Sequence, residues 1–82
     1  MLVQSAIKSS SGRVYTGRRH HNIINYYALQ GIYFKTSDDI QGFVNDRGVF
    51  KDRRLAMVEA IKCKQLRNGK IIGGVLTSED LW

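Results

Sequence analysis

The segment Thr16-Gly17-Arg18-Arg19-His20-His21-Asn22-Ile23-Ile24 marks the point where the chain changes period. Arg13-Val14-Tyr15-Thr16 is β-type and Gly17 ends it, whereas Ile23, Ile24, Tyr27, Ala28 and Ile32 recur at the spacing of one helix face. The pattern predicts a helix from His20 or His21 to about Gln30, with Gly31 as its stop. Cations crowded at such a start gain nothing from the helix, whose first N–H groups and positive dipole end already favour an anion. Two guanidiniums and two imidazoles at that place suit a bound phosphate.

Upstream, Leu2 to Ser9 alternates as a strand and Ser9-Ser10-Ser11-Gly12 reads as a turn, so a hairpin precedes the helix. Tyr33 to Gln41 is polar and without a clear period. Gly42-Phe43-Val44 and Val49-Phe50 are short β-like pieces on either side of the turn-forming Asn45-Asp46-Arg47-Gly48. Asp52 stands where an N-cap belongs, and Leu55, Val58, Ala60, Ile61 and Cys63 trace the apolar face of a second helix from Arg53 to about Gln65. After Asn68-Gly69, Lys70 to Leu76 reads as one more strand or an extended arm, and Thr77 to Trp82 closes the chain. The order ββα-ββα plus a C-terminal tail is an α+β fold, two helices on a small, mainly antiparallel sheet.

At 82 residues this reads as one small domain, residues 1–82, with a core modest enough that association with further copies would add stability. Apolar residues make up 43%, and no run approaches the roughly 18 that span a bilayer, so a soluble protein without membrane contact is expected. The regions of a signal peptide are missing and the lone Cys63 has no internal disulfide partner, which suits a reducing cytosol. The net charge of +6, from 13 basic and 7 acidic residues, favours anionic partners. Most of the excess before residue 55 is arginine, at Arg13, Arg18, Arg19, Arg47, Arg53 and Arg54, and arginine grips phosphate with a planar fork.

Several residues have two readings. Arg18 and Arg19 can hold a pyrophosphate by bidentate bonds beside the first helical N–H groups, or they form an ordinary solvated basic turn. His20 and His21 can donate to phosphate or stack on a base; equally, one packs on the sheet while the other faces water. With no third His and a single Cys the usual zinc set is incomplete, so no metal is expected. Phe43, just after Gly42, stacks a purine or fills the core. Asp52 caps its helix or accepts from ribose hydroxyls or a base amino group, with Arg53 beside it. Catalysis is not expected: Cys63 reads as an inert buried thiol, Ser9 to Ser11 as a turn, and neither a P-loop nor a dinucleotide fingerprint is present, which leaves Glu79 and Asp80 as the remaining acid/base groups. Leu81-Trp82 behind the acidic Ser78-Glu79-Asp80 suits a tail docked on its own domain or on a neighbouring subunit.

Taken together, Tyr15-Thr16-Gly17-Arg18-Arg19-His20-His21-Asn22-Ile23-Ile24, Gln41-Gly42-Phe43-Val44, Gly48-Val49-Phe50-Lys51-Asp52-Arg53-Arg54 and Ser78-Glu79-Asp80-Leu81-Trp82 resemble a family of small phage proteins. These are the anti-Thoeris phage sponges, Thoeris anti-defence proteins of the first type, which sequester cyclic ADP-ribose signals of bacterial immunity. The likeness spans most of the chain. It implies a non-enzymatic α+β protein of the infected host's cytoplasm, without a cofactor, that forms a homo-oligomer and buries a cyclic nucleotide near subunit boundaries without cleaving it. Under that resemblance Arg18, Arg19 and His20 or His21 grip phosphates, Phe43 stacks a base, and Asp52 and Arg53 finish the pocket. Apart from the resemblance, Arg47 is a further ligand-binding candidate. Family members are longer between the first helix and the Gly-Phe-Val strand, which leaves open which cyclic nucleotide this chain takes, cyclic oligonucleotides included.

The main alternative is a small basic phage protein that binds nucleic acid, in which the same arginines neutralise a polymer backbone and affinity falls steeply with salt. A signal-degrading enzyme would return a cleaved product, and an adaptor that blocks a host protein would bind no nucleotide.

Overall fold

The computed structural model, which describes residues 1–35, 37–67, 76–77 and 80–81, resolves the chain into two ββα units. The first comprises β1 (Leu2–Lys8), β2 (Val14–Gly17) and α1 (His20–Ala28); the second comprises β3 (Ile40–Asn45), β4 (Phe50–Asp52) and α2 (Arg53–Lys62). The strands form one antiparallel sheet in the order β2-β1-β3-β4, so the units meet through their first strands. The α+β class and the ββα-ββα order are those the sequence predicts. The strand or arm expected up to Leu76 falls, apart from Leu76 itself, outside the described residues, as does Trp82.

Alternation along the strands decides which face is covered. Ile7 lies opposite Tyr15, and Ser5 lies opposite both Gly17 and Phe43, so these residues share one face, and both helices pack on it. Ile7 and Tyr15 meet Ile23 of α1, backed by Tyr27, Ile32 and Phe34. Leu2 and Phe43 meet Ala56 and Ala60 of α2, and Leu76 and Leu81 close that cluster, which docks the tail on its own domain. Leu2 and Ile7 stand at opposite ends of β1, so the helices cover opposite ends of the sheet. Both begin near its middle, because β2 ends at Gly17, level with Ser5, and β4 ends at Asp52, level with Gly42 and hence Ala6. From there they run apart.

The second helix is rotated from the orientation its sequence predicts. Ala56 and Ala60 face the core, while Leu55, Val58 and Ile61 are 54%, 47% and 56% exposed, and Cys63, at the C-cap, is exposed rather than buried. Volume explains the exchange: the fully buried Phe43 ring fills the space under α2, so the small side chains of Ala56 and Ala60 face it, with Met57 packed alongside. The helix also stops at Lys62, short of Gln65. Lys64 turns to φ 54°, and the amides of Lys64 and Gln65 donate back to the carbonyls of Ile61 and Ala60, a Schellman arrangement. The first helix ends the same way at the expected Gly31, φ 81°, with the amides of Gly31 and Ile32 on the carbonyls of Ala28 and Tyr27.

The start of β1 is tied down at two points. Gln65 accepts from Leu2 N at 2.7 Å and donates to Leu2 O at 2.8 Å. The Met1 amine pairs with Glu59 at 2.7 Å and Asp46 at 3.1 Å. Hydrogen bonding to Glu59, then to Asp46, raises the amine pKa from 8.0 to about 10, and the amine in turn holds both carboxyls below their ordinary values. A raised amine pKa contributes stability below pH 8.0 that is lost as pH rises through about 10; the depressed carboxyl values contribute stability that is lost on acidification. The melting temperature should therefore fall as pH rises from 8.0 to about 10, and acetylating the amine should remove that part of the decline. An identical decline in the acetylated protein would contradict the pairing.

Candidate functional site

The handover from β2 to α1 is fixed from below. Buried Ser5 donates from Oγ to the Arg18 carbonyl at 2.8 Å, and Gly17 is required because a Cβ there would stand 2.8 Å from Ile23 Cγ1. Arg19 is the N-cap residue, extended at φ −130° and ψ 156°, and its carbonyl accepts from Asn22 N and Ile23 N. No side chain caps this helix, and its first turn holds no acidic residue. The start of α1 thus combines a positive dipole end with the exposed Arg18 and His21 and the half-buried Arg19, and its first turn holds no carboxylate.

His20 turns inward, which settles the choice between the two imidazoles: it is 8% exposed, while His21 is exposed. Its Nε2 lies 2.8 Å from the Gly42 carbonyl and its ring meets Phe43 edge-on at 5.2 Å. A carbonyl only accepts, so Nε2 carries the hydrogen, and Nδ1 presents its lone pair to Arg53 Nη2 at 3.5 Å. Arg53, the first residue of α2, also donates to Gln41 Oε1 at 2.6 Å and to the Leu76 carbonyl. The two helix starts are therefore joined across β3. Asp52 caps α2 as expected, its Oδ1 accepting from Leu55 N at 2.9 Å. Gly42 allows β3 and β4 to approach closely at this level, since a Cβ would collide with the Lys51 carbonyl and come within 2.8 Å of the Phe50 ring.

The residues singled out from the sequence divide accordingly. Arg18, Arg19, His20, Asp52 and Arg53 gather at the two helix starts, with His21 on the outer side of α1. Phe43 does not offer a stacking face: it is 0% exposed, because the centre of the sheet lies beneath both helices and its ring packs against Ala56, Ala60 and His20. Arg47 lies apart, at the tip of the β3–β4 hairpin and so at the opposite end of that hairpin from Asp52, its N–H on Asn45 Oδ1 at 3.0 Å. Gln41 is the member that sequence reasoning missed; its place beside Gly42 and Phe43 was the only signal. Among the described residues no group of three His, Cys, Asp or Glu is placed to hold a metal, and no helix is long and apolar enough to cross a membrane.

Compared with known proteins, residues 1–82 match the model of the family described as the phage T4 y16D protein. No curated protein and no solved structure matches the chain.

The geometry assigns the two histidines different work. Replacing His20 by Ala leaves the Gly42 carbonyl without its donor and a gap beside Phe43, so urea unfolding should register a loss of about 2 kcal/mol. His21→Ala, on the surface, should stay within about 0.5 kcal/mol of the parent. Equal losses would contradict the placement.

Proposed function

We propose that this chain, which belongs to the phage T4 y16D protein family and is therefore a small phage protein, binds a compact phosphate-bearing nucleotide and sequesters it uncleaved. One observation carries the reading. The first turns of α1 and α2 meet through His20 and Arg53 and the helices run apart, so the Arg18-Arg19 and Arg53-Arg54 pairs stand at neighbouring helix starts over the middle of one sheet, α1 without a side-chain cap and α2 capped by Asp52. Like charges so placed favour an anion among them, and a diphosphate offers guanidiniums the planar bidentate geometry they match best. At about 1.5–3 kcal/mol per charged hydrogen bond, a handful of such bonds approaches the roughly 12 kcal/mol of a nanomolar complex.

The likeness of the sequence motifs to the Thoeris anti-defence proteins supports a cyclic ADP-ribose isomer as the ligand, held in the host cytoplasm. Sequestration works by mass action and needs no catalytic base. The stripe of Leu55, Val58 and Ile61 turned outward on α2 supports the association of copies into a homo-oligomer.

Calorimetry against cyclic ADP-ribose isomers, cyclic dinucleotides and cyclic trinucleotides, beside a light-scattering mass, tests the proposal. One compound should bind with definite stoichiometry and be recovered intact after heat denaturation, and Arg18→Ala should abolish its uptake without lowering the melting temperature. The account fails if none of these compounds binds and a polynucleotide binds instead, with steep salt dependence and uniform weakening by Arg18 or Arg47 substitutions.

A further inference from the structure

Among the described residues no strand pairs with the outer side of β2, and its hairpin fixes which groups face that way. Ser9 N donates to the Arg13 carbonyl at 2.8 Å, so Ser9–Arg13, Ile7–Tyr15 and Ser5–Gly17 are the hydrogen-bonded pairs, while Val14 and Thr16 turn their N–H and C=O groups outward. Natural edges are usually protected by a charged side chain, a proline or a bulge, and Val14-Tyr15-Thr16-Gly17 contains none of these. Between this edge and α1 lies a cavity of about 320 Å³ lined by Thr16, Gly17, Asn22, Ile23, Tyr26 and Tyr27. No residue of β1 lines it, which sets it on the outer side of β2.

We propose that β2 and α1 form a groove for an extended, acidic peptide segment of a partner protein, which adds to the sheet as a strand beside β2. Main-chain bonds to Val14 and Thr16 supply the pairing, and one apolar side chain of the segment enters the cavity against Ile23 and Tyr27, with the exposed Tyr26 as its wall. The volume, at the lower end of the roughly 300–1,000 Å³ range of small-molecule pockets, accommodates one large apolar side chain. Charge selects the partner. Arg13 precedes the strand, its guanidinium 5.2 Å over the Tyr15 ring, and Arg18 follows it. A second copy of β2 paired antiparallel with Val14 opposite Thr16 would bring Arg13 of one chain next to Arg18 of the other at both ends of the pair, which adds like charge, whereas a strand flanked by carboxylates brings counter-charge to both. Arg18 borders both this groove and the proposed anion site, so strand pairing is tested by N-methylation of the peptide and by Thr16→Pro, which leave every arginine in place.

The probe is a synthetic peptide, acetyl-Glu-Thr-Val-Leu-Val-Thr-Glu-amide, titrated into isotope-labelled protein and followed by NMR. It is compared with the same peptide bearing Lys for Glu and with one N-methylated at its three central residues, which keeps side chains and charge but removes the pairing donors. The acidic peptide should shift the amides of Val14 and Thr16 and the methyls of Ile23, the Lys peptide should bind about tenfold more weakly, and the N-methylated peptide should not bind. Thr16→Pro, which removes an outward N–H, should abolish binding of the acidic peptide. Three outcomes overturn the proposal: no response to the acidic peptide at millimolar concentration, equal binding of the N-methylated form, or concentration-dependent pairing of β2 with itself in protein without peptide.

Discussion

A buried imidazole joins the two halves of this fold. His20 donates to a carbonyl of the second unit, Gly42 O, and accepts from the guanidinium that opens α2, so one ring fixes where both helices begin. Were the helices to start at the outer ends of the sheet, their dipoles and the two Arg-Arg pairs would be dispersed; starting at its centre, they add. Such an arrangement costs electrostatic free energy in the absence of an anion, and the cost is met by burial beneath it, where Phe43, Leu2 and Ile7 lie fully enclosed.

Element order was legible because its signals are local: alternation in Leu2 to Lys8, the Asn45-Asp46-Arg47-Gly48 turn, Asp52 as cap and Gly31 as stop. The facing of α2 was not. Leu55, Val58 and Ile61 make a helical stripe, and so do Ala56 and Ala60; pattern favours the larger residues, while the structure presents the smaller ones because Phe43 occupies the space beneath. The same buried ring misled the reading of Phe43 as a stacking platform, since a short strand beside a glycine gives no sign that two helices cover it.

For the candidate site, the cluster of Arg18, Arg19, His20 and His21 marked the start of α1, because helix-start signals depend on neighbours in sequence. Which histidine turns inward depends instead on a carbonyl 22 residues away, and Gln41 joins through a guanidinium 12 residues beyond it. Those are tertiary facts. Arg47 carries the same side chain as the site arginines, yet a hairpin places its tip and its ends at opposite limits, so composition alone could not separate it from Arg53.

The central claim is that two helix starts act as one anion site, and NMR titration of the full chain with inorganic pyrophosphate tests it most directly. The account predicts that the backbone amides of His20, His21, Arg53 and Arg54 shift together along one binding curve. Shifts confined to one helix, or spread over all the surface arginines including Arg47, would contradict it.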